Sequence, residues 1–244
     1  MPNSIEGKTA MVTGAAGVMG LAVVKALLAE GASVIMVDLA ESRLRELSRQ
    51  LGPRAVPAAF DVADPAAIQR ELARLQAVDI LVNNAGILSN NKSQSTTPEE
   101  WRRVVEINLG GMFYLSRAVI PGMKARRWGR IVNVSSLAAQ TGGLTAGTAY
   151  AASKGGVISL TRSLAAETAA FGITANAIAP AYVKTPMISE QLTEEQRRAI
   201  LGRIPVGRFC EPEEFAHVVL FLASPLAGFI TGDLINLNGG LYFN

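Results

Sequence analysis

The stretch TGAAGVMG, residues 13–20, decides how the rest of the chain is interpreted. It follows an apolar run typical of a buried strand and precedes one typical of a helix, and it contains Gly14, Gly17 and Gly20. In a strand, turn and helix unit that binds a dinucleotide, such glycines permit a tight turn, close approach of the backbone to the pyrophosphate, and close packing of helix on strand. The spacing is not G-x-G-x-x-G, and glycine-rich turns also occur for structural reasons, so the loop alone predicts a cofactor only weakly.

Further apolar runs follow the first one at regular intervals along the chain. They cover residues 32–38, 55–62, 79–86, 129–136, 173–180 and 233–240, and amphipathic helical segments lie between them. Strands that are apolar through most of their length are typical of a parallel sheet covered on both faces. The alternation predicts an α/β fold, a Rossmann-like doubly wound parallel sheet of about seven strands, formed as a single domain over residues 1–244.

Ligands of such sheets bind at the carboxyl ends of the strands, where Asp38 ends the second predicted strand. Its carboxylate can accept hydrogen bonds from both ribose hydroxyls of an adenosine, and its charge would repel a 2′-phosphate. No arginine immediately follows it, so the sequence predicts NAD, with NADP less favoured. The alternative is that Asp38 merely caps the next helix. In FDVAD, Asp61 and Val62 offer an edge for the adenine, whereas Asp64 before a proline fits a helix cap.

The segment YAASK places Tyr150 and Lys154 four residues apart, hence on one face of a helix. Val157 and Thr161 continue that stripe, which puts the lysine on a partly inward face. A nearby ammonium stabilises phenolate and lowers the pKa of a tyrosine, so the pair is expected to work as a general base near neutral pH. A bare Tyr-x-x-x-Lys spacing, however, is common by chance.

A buried amide is predicted at Asn108, which continues the apolar positions 101, 104 and 105 at helical spacing. Such an amide needs a partner, and two glycines at 110 and 111 suggest a local distortion in which Asn108 could hold a water. Its helix is expected to begin at TPEE, where Thr97 caps and Glu100 completes a capping box.

Taken together, these motifs resemble the short-chain dehydrogenase/reductase family of the single-domain type, over nearly all of the chain. The matching features are TG after the first strand, Asp38, FDV, NNAG at 83–86, Asn108 in EINLGG, Ser136 in NVSS, YAASKGG, Thr185 in PAYVKTPM, and the closing segment that ends in LINLNGG.

The resemblance implies a catalytic tetrad of Asn108, Ser136, Tyr150 and Lys154. Ser136 is preferred to Ser135 because it stands 14 residues before Tyr150, close to the usual family separation. The implied reaction is hydride transfer between a secondary alcohol or ketone and a nicotinamide. Tyr150 would exchange the proton, Ser136 would bind the substrate oxygen, Lys154 would bind the nicotinamide ribose, and Asn108 would hold a water of the proton relay.

The resemblance also implies a set of cofactor contacts that ends beyond the sixth predicted strand. They are Gly14, Gly17, Val18, Met19, Gly20, Asp38, Asp61, Val62, Asn84, Ala85, Gly86, Tyr150, Lys154, Val183 and Thr185.

Two positions depart from the family pattern. The branch with this length usually carries T-G-x-x-x-G-x-G, whereas here Val18 occupies the middle glycine position and Gly17 precedes it. Gly17 is expected to supply a positive φ, and Val18 brings a steric risk near a ribose or phosphate, so Val18→Gly should alter affinity for the dinucleotide rather than create it. Ala181 stands where the family often has glycine after the proline, close to the expected nicotinamide side.

Substrate preference is expected to come from residues 136–147 and from a lid at about 181–205. Tyr182, Met187, Ile188 and Leu192 are the pocket candidates in that lid. No arginine pair that demands a carboxylate substrate is evident, so the sequence specifies a ketone or secondary alcohol but neither the physiological substrate nor the reaction direction.

Other classes of function are disfavoured by composition. The net charge is only +3, and no aromatic and basic stripe accompanies short clusters such as RRWGR at 126–130, which speaks against nucleic-acid binding. With His217 the only histidine, a multi-histidine zinc site is impossible, and no metal is predicted. A hydrolase would have to use His217 and lacks a G-x-S-x-G elbow.

The expected setting is cytoplasmic. The single cysteine, Cys210, excludes an intramolecular disulfide, and neither a signal peptide nor a membrane span is predicted. By resemblance, a homotetramer is expected, with the apolar end GLYFN as a plausible contact. The competing hypothesis, motivated by Val18, is a non-catalytic nucleotide-binding or scaffolding protein of the same fold.

Overall fold

A parallel sheet forms the centre of the computed structural model, which describes residues 4–143, 146–185 and 193–243. In this described part the sheet has seven strands in the order β3-β2-β1-β4-β5-β6-β7, every pair parallel. The strands are β1 Thr9–Thr13, β2 Ser33–Asp38, β3 Ala55–Ala59, β4 Ile80–Asn83, β5 Gly129–Val134, β6 Ile173–Pro180 and β7 Leu234–Leu237. The predicted Rossmann-like fold is confirmed.

Helices connect the strands and cover both faces of the sheet. They are α1 Val18–Ala29, α2 Glu41–Leu51, α3 Pro65–Leu72, α4 Pro98–Val105, α5 Gly111–Arg126, α6 Ala138–Thr141, α7 Thr148–Thr168, α8 Glu194–Leu201 and α9 Pro212–Ala223. A π turn, Glu106–Gly110, joins α4 to α5, and 3-10 turns follow α7 and α9. No helix in the described part of the chain is long and apolar enough to cross a membrane.

The apolar strands are explained by two cores, one on each face of the sheet. Successive side chains of a strand point to opposite faces, so Val12 and Met36 join the core under α1 and α9, whereas Met11 and Ile35 join the core under α3 and α5. All five residues of β1 and all six of β5 are buried. Because both faces need apolar side chains, the strands read as continuous apolar runs rather than as alternating ones.

Two helix starts were predicted from the sequence, and one of them differs in detail. Asp64 caps α3 as predicted, since its carboxylate accepts hydrogen bonds from the N–H groups of Ala66 and Ala67. Thr97 caps α4 by accepting from the N–H of Glu100 at 3.2 Å. The Glu100 carboxylate, however, does not return to close a capping box, because it binds side chains of the loop that follows β4.

Candidate active site

A cleft of about 850 Å³ opens where β4, β5 and β6 end, at the carboxyl edge of the sheet. The polar groups predicted for catalysis enter it from the segment after β5 and from α7. The predicted site residues that line it are Met19, Asn84, Gly86, Ser136, Tyr150, Lys154, Val183 and Thr185. The fold therefore gathers residues from the first, fourth, fifth and sixth strand ends into one place.

Tyr150 and Ser136 meet in this cleft through a hydrogen bond between their side chains. Tyr150 is half-buried on the first turn of α7, and Lys154, one turn later, is buried. The Lys154 Nζ atom lies 5.8 Å from the centre of the Tyr150 ring and donates a hydrogen bond to the carbonyl oxygen of Val134 at 2.7 Å. The predicted common face of Tyr150 and Lys154 is thus turned towards the end of β5.

Burial dominates the acid and base properties of both side chains. It raises the pKa of Tyr150, and the hydrogen bond with Ser136 only partly opposes that shift. It also lowers the pKa of Lys154 to about 8. The expectation that Lys154 depresses the pKa of Tyr150 is therefore wrong for this structure. At neutral pH Tyr150 carries its proton, which is the state that a proton donor requires.

The two serines after β5 have different surroundings. Ser135 is buried, and its hydroxyl donates to the carbonyl oxygen of Lys154 at 2.8 Å. Ser136 contacts Tyr150, and its Oγ also accepts from the N–H of Ala138 at 3.1 Å. Ser135 thus ties β5 to α7, whereas Ser136 faces the cleft.

Asn108 lies in the π turn, so the predicted distortion near the two glycines is present. It is fully buried, and its amide forms three hydrogen bonds, two with the backbone of Ile87 at 2.8 and 3.0 Å and one with the hydroxyl of Ser153 at 3.1 Å. Gly86 separates it from Lys154, since a Cβ there would lie 3.0 Å from Asn108 Oδ1 and 3.4 Å from Lys154 Nζ. The role of Asn108 in holding a water stays a prediction.

The glycine loop is built around Gly14 and not around Gly17. Gly14 has φ +65°, and a Cβ on it would lie 2.9 Å from the amide nitrogen of Asn84. Gly17 has φ −78°, so the prediction that it supplies a positive φ is wrong. Position 17 is the N-cap of α1, where extended backbone suits any residue. The left-handed turn falls at Gly14 because the chain must reverse immediately after β1.

The amino terminus of α1 points free N–H groups at the cleft edge. The N–H groups of Val18, Met19 and Gly20 have no hydrogen-bond partner within the described residues, and no side chain caps the helix. Unpaired N–H groups and the positive end of the helix dipole favour an oxyanion such as a pyrophosphate. Val18 is 37% exposed at this point, beside the cleft and not inside the core.

The carboxylate of Asp38 is engaged by its own loops. One oxygen accepts from the N–H of Ala16 at 3.1 Å and the other from the N–H of Ala40, the N-cap residue of α2, at 3.2 Å. Asp61 is exposed and accepts from Ala63 at 2.8 Å. Val62 is buried against Gly111, where an added Cβ would lie 2.9 Å from Val62 Cγ2. No side chain caps α2, so the structure does not support the alternative that Asp38 caps this helix; its carboxylate instead holds the loop before α2 and the glycine loop.

The NNAG segment joins the end of β4 to the glycine loop. The N–H groups of Asn84 and Ala85 both donate to the hydroxyl of Thr13 at 2.9 Å, and the Asn84 amide donates to the Thr13 carbonyl oxygen at 2.8 Å. Asn84 and Ala85 therefore act on the loop through backbone and amide contacts. Gly86, the next residue, is exposed in the cleft.

The segment after β6 forms the far lip of the cleft. Val183 is buried and pairs with Cys210 in an isolated bridge, and Tyr182 has φ +47° with its ring centre 6.5 Å from that of Phe209. Ala181 and Thr185 line the cleft, as does Tyr182. The other pocket candidates, Met187, Ile188 and Leu192, lie outside the described residues.

Several cleft residues had no usable signal in the sequence. Leu241, in the GLYFN end predicted to contact another subunit, lines the cleft, as do Ile200 and Arg203 from α8 and the turn after it. Ile200 falls within the predicted lid, but nothing in its pattern distinguished it. His217 is exposed on α9 and is not among the cleft residues, so the alternative of a hydrolase has no geometric support.

The sequence analysis also missed a hydrogen-bonded hub, formed by Ser89, Asn91, Lys92 and Glu100, that holds the start of α7. Glu100 accepts from the Ser89 hydroxyl and, at 2.7 Å, from the Asn91 amide. The carbonyl oxygen of Ser89 then accepts from the N–H of Gly147, the N-cap of α7, at 2.7 Å. Lys92 donates to the carbonyl oxygens of Gly143 and Ala146, which precede α7, at 2.6 Å each. The helix that carries Tyr150 is thus anchored to the loop after β4.

Comparison with known proteins identifies the family of this chain. The family model described as enoyl-(acyl carrier protein) reductase matches residues 14–242. The 3-oxoacyl-[acyl-carrier-protein] reductase of Vibrio cholerae is 43% identical over 98% of this chain and 99% of its own length. That of Thermotoga maritima is 39% identical over 97% of this chain and 98% of its own.

Solved structures of similar proteins have the same fold. A 3-oxoacyl-[acyl-carrier protein] reductase from Brucella melitensis with bound NAD superposes with a TM-score of 0.92 at 35% identity, covering 99% of this chain and 93% of its own. A putative gluconate dehydrogenase from Agrobacterium tumefaciens gives a TM-score of 0.92 at 34% identity, covering 98% of this chain and 97% of its own.

The predicted preference for NAD over NADP is contradicted by the sequence relatives. The 3-oxoacyl-[acyl-carrier-protein] reductases at about 40% identity are NADPH-dependent, although one structural neighbour holds NAD. The prediction relied on the Asp38 carboxylate as a ligand of the ribose. In the structure both of its oxygens already accept backbone hydrogen bonds, so its presence does not identify the cofactor.

The resemblance seen in the motifs is matched over the whole length of the chain. The family model spans more than nine tenths of it, and full-length relatives exceed 30% identity. The fold agrees with those matches, since a solved structure superposes with a TM-score of 0.92. The chain therefore belongs to the short-chain dehydrogenase/reductase family and is an oxidoreductase.

Proposed function

We propose that this protein reduces the 3-oxo group of an acyl chain to a secondary alcohol, using a nicotinamide dinucleotide. The observation that carries the proposal is the protonated, half-buried Tyr150 hydrogen-bonded to Ser136 inside an otherwise largely apolar cleft. The names of the relatives support the substrate class, since they are 3-oxoacyl reductases. The putative gluconate dehydrogenase would suggest a polyol instead, but apolar walls suit an acyl chain better.

The residues present fit a dinucleotide. Free N–H groups of Val18, Met19 and Gly20 at the start of α1 can receive the pyrophosphate, and the missing side chain of Gly86 leaves room beside Lys154. Of the other predicted contacts, Val183 and Thr185 would close the opposite side. When bound, the reduced dinucleotide supplies the hydride that the protein itself lacks.

The protein side of the reaction follows from the geometry of Tyr150. A ketone oxygen placed against the Tyr150 and Ser136 hydroxyls receives a hydrogen bond from each, which stabilises the charge that develops on it. Tyr150 then donates its proton to that oxygen. Lys154, held by the Val134 carbonyl oxygen, offers its remaining N–H groups to a ribose and to the space near Tyr150. Asn108 fixes Ile87 and Ser153 around this site and, by family resemblance, holds the relay water.

The substrate would lie along the apolar wall of the cleft, beneath a lid at about residues 181–205. Ile87, Leu88, Leu137, Tyr182 and Ile200 contribute to this wall. The lid carries Ile200 on α8, whose start is fixed by a capping box between Thr193 and Gln196. A lid with its own capped helix can open as a unit and exclude water when closed.

A cytoplasmic homotetramer is the proposed state of the protein. The exposed large apolar side chains include two aromatic pairs, with Trp101 and Phe113 on α4 and α5, and Phe221 and Phe229 on α9 and after it. Two separate apolar faces suit two different contacts between copies, as a tetramer with dihedral symmetry requires. Light scattering that finds a stable monomer at micromolar concentration would contradict this assembly. The free thiol of Cys210 is consistent with a reducing compartment.

The test compares wild type with Tyr150→Phe and with His217→Ala, a matched surface control. Oxidation of NADH and of NADPH is followed separately with a short 3-oxoacyl thioester. We expect wild type and His217→Ala to turn over alike and Tyr150→Phe to lose at least roughly a hundredfold in kcat. Undiminished turnover in Tyr150→Phe would refute the catalytic role. Dinucleotide binding without turnover of any ketone would favour the non-catalytic alternative.

A further inference from the structure

The segments that form the lip and lid of the cleft carry basic side chains, which differ in whether a carboxylate neutralises them. In the described part of the lip and lid, these are Lys184, Arg197, Arg198, Arg203 and Arg208. Three are paired: Lys184 with Glu211 at 3.1 Å, Arg198 with Glu194 at 3.2 Å, and Arg208 with Glu214 at 2.6 Å. Within the described residues Arg197 and Arg203 have no such partner, so they are the two uncompensated charges.

The two unpaired arginines lie on either side of Ile200 in the chain, and Ile200 lines the cleft. Arg203 is exposed and lines the cleft, and so does Ile200, three residues before it. Arg197 stands three residues before Ile200 on α8, hence on the same helix face. The chain continues in a helical turn after α8, because the N–H of Arg203 donates to the carbonyl oxygen of Ile200 at 3.0 Å. Six residues at helical rise separate the two α-carbons by about 9 Å along the axis.

Arg197 is also incompletely satisfied. It is half-buried, and its Nε atom is buried with no hydrogen-bond partner. An unpaired donor on a charged group is costly in a protein, and a charge-assisted bond to an oxyanion would relieve that cost. Arg198, the next residue, turns to the opposite face and binds Glu194, so the helix itself distinguishes the two arginines.

We propose that Arg197 and Arg203 form a binding subsite for an oxyanion of the substrate, either a carboxylate or a phosphate, with Ile200 between them. The inference rests on the proposed ketone reduction at Tyr150 and adds the chemical class of the substrate's distant end. The substrate is then amphipathic, with its ketone at Tyr150, an apolar stretch along the cleft, and an anion at the lid. The sequence suggested no such arginine pair. Whether Arg197 or Arg203 is neutralised depends on where the carboxylates lie in the folded chain, which the sequence does not reveal.

The test compares charged and neutral ketones that share the reacting 3-oxoacyl group. The phosphate arm uses the coenzyme A and N-acetylcysteamine thioesters of 3-oxobutanoate, and the carboxylate arm uses the monomethyl and dimethyl esters of 3-oxoadipate. For each pair, the ratio of kcat/KM for the charged to the neutral substrate is measured in wild type, Arg197→Gln, Arg203→Gln and the double variant. Arg198→Gln is the control, since its guanidinium is paired and faces away.

We expect wild type to favour the charged member of at least one pair, and the double variant to lose roughly tenfold or more of that ratio. The preference should also weaken as salt rises. The arm that responds identifies phosphate or carboxylate as the ligand. A ratio that is the same in wild type and the double variant in both arms overturns the subsite. If instead neither charged nor neutral ketone is reduced, the proposed reductase function itself fails.

Discussion

Gly20 and Gly14 are in such close contact that a Cβ on Gly20 would stand 2.1 Å from the carbonyl oxygen of Gly14. This contact joins the first turn of α1 to the residue that directly follows β1. It determines how closely helix and strand approach, and therefore where the free N–H groups of α1 point. Position 17 has a different status, because a Cβ there would lie 3.4 Å from the same oxygen, which is ordinary contact.

Alanine substitutions should therefore separate the two positions. We expect Gly20→Ala to lower the free energy of unfolding by about 3 kcal/mol and to abolish dinucleotide binding, since the backbone must shift. Gly17→Ala should fold like wild type, because its φ of −78° suits alanine. Urea unfolding and fluorescence titration with dinucleotide measure both effects. An equal loss of stability and of dinucleotide binding in the two variants would show that the close contact between Gly20 and Gly14 is not the cause.

Val18 allows a test of the loop itself. Its side chain is exposed at the start of α1, so Val18→Gly removes a contact beside the bound phosphates without opening the core. We expect the affinity for dinucleotide to change by less than about tenfold, because the N–H groups remain and only a side-chain contact and some helix propensity are lost. Calorimetric titration measures it. A wild type that binds no dinucleotide, beside a variant that does, would contradict this view of the loop.

Burial of Lys154 predicts a stability that depends on pH. Its folded pKa of about 8 lies below the unfolded value of 10.5, so between these values the unfolded chain binds the extra proton. Stability should accordingly rise from pH 8 towards 10.5, by an amount on the order of 3 kcal/mol, and below pH 8 the full cost of the buried charge is present. In Lys154→Met this rise should vanish. The free energy of unfolding is measured against pH for wild type and for Lys154→Met, and the difference between the two curves isolates Lys154 from other groups that titrate in this range. Two parallel curves would refute the predicted contribution of Lys154.

The hub at Glu100 should affect catalysis through the position of Tyr150. In wild type, the two carboxylate oxygens of Glu100 accept hydrogen bonds from Ser89 and Asn91. In Glu100→Gln an amide nitrogen replaces one of these oxygens, so one hydrogen bond is lost and the Ser89 carbonyl, which accepts from Gly147, is held less firmly. We expect kcat to fall about tenfold with little change in the KM for dinucleotide, because a small misplacement of a catalytic group is costly.

The matched control for that prediction is Glu99→Gln. Glu99 is a neighbouring exposed carboxylate that, among the residues the structure describes, pairs with Arg102 alone, at 3.4 Å. Exposed pairs of this kind contribute little, so its kinetics should stay those of wild type. A Glu100→Gln enzyme with unchanged kcat and a lowered melting temperature would show that the hub is only structural.

Sequence by itself determined the fold of this protein and pointed to the groups proposed to react. Apolar runs alternating with amphipathic ones specify a covered parallel sheet, because each strand must bury both of its faces. The spacing of Tyr150 and Lys154 specifies a shared helix face, and Asp64 before a proline specifies a cap. These features depend on neighbours in the chain, so local periodicity and propensity were enough to predict them.

Tertiary structure alone decided which partners these side chains meet. Asp38 accepts hydrogen bonds from Ala16 and Ala40, and Glu100 binds Ser89 instead of closing the expected capping box. Within the described residues, Arg197 has no carboxylate partner whereas Arg198 pairs with Glu194. The pKa of Tyr150 likewise rises because burial outweighs the hydrogen bond with Ser136. Each outcome depends on contacts between segments brought together by packing, and desolvation or a competing donor can reverse what the local pattern indicates.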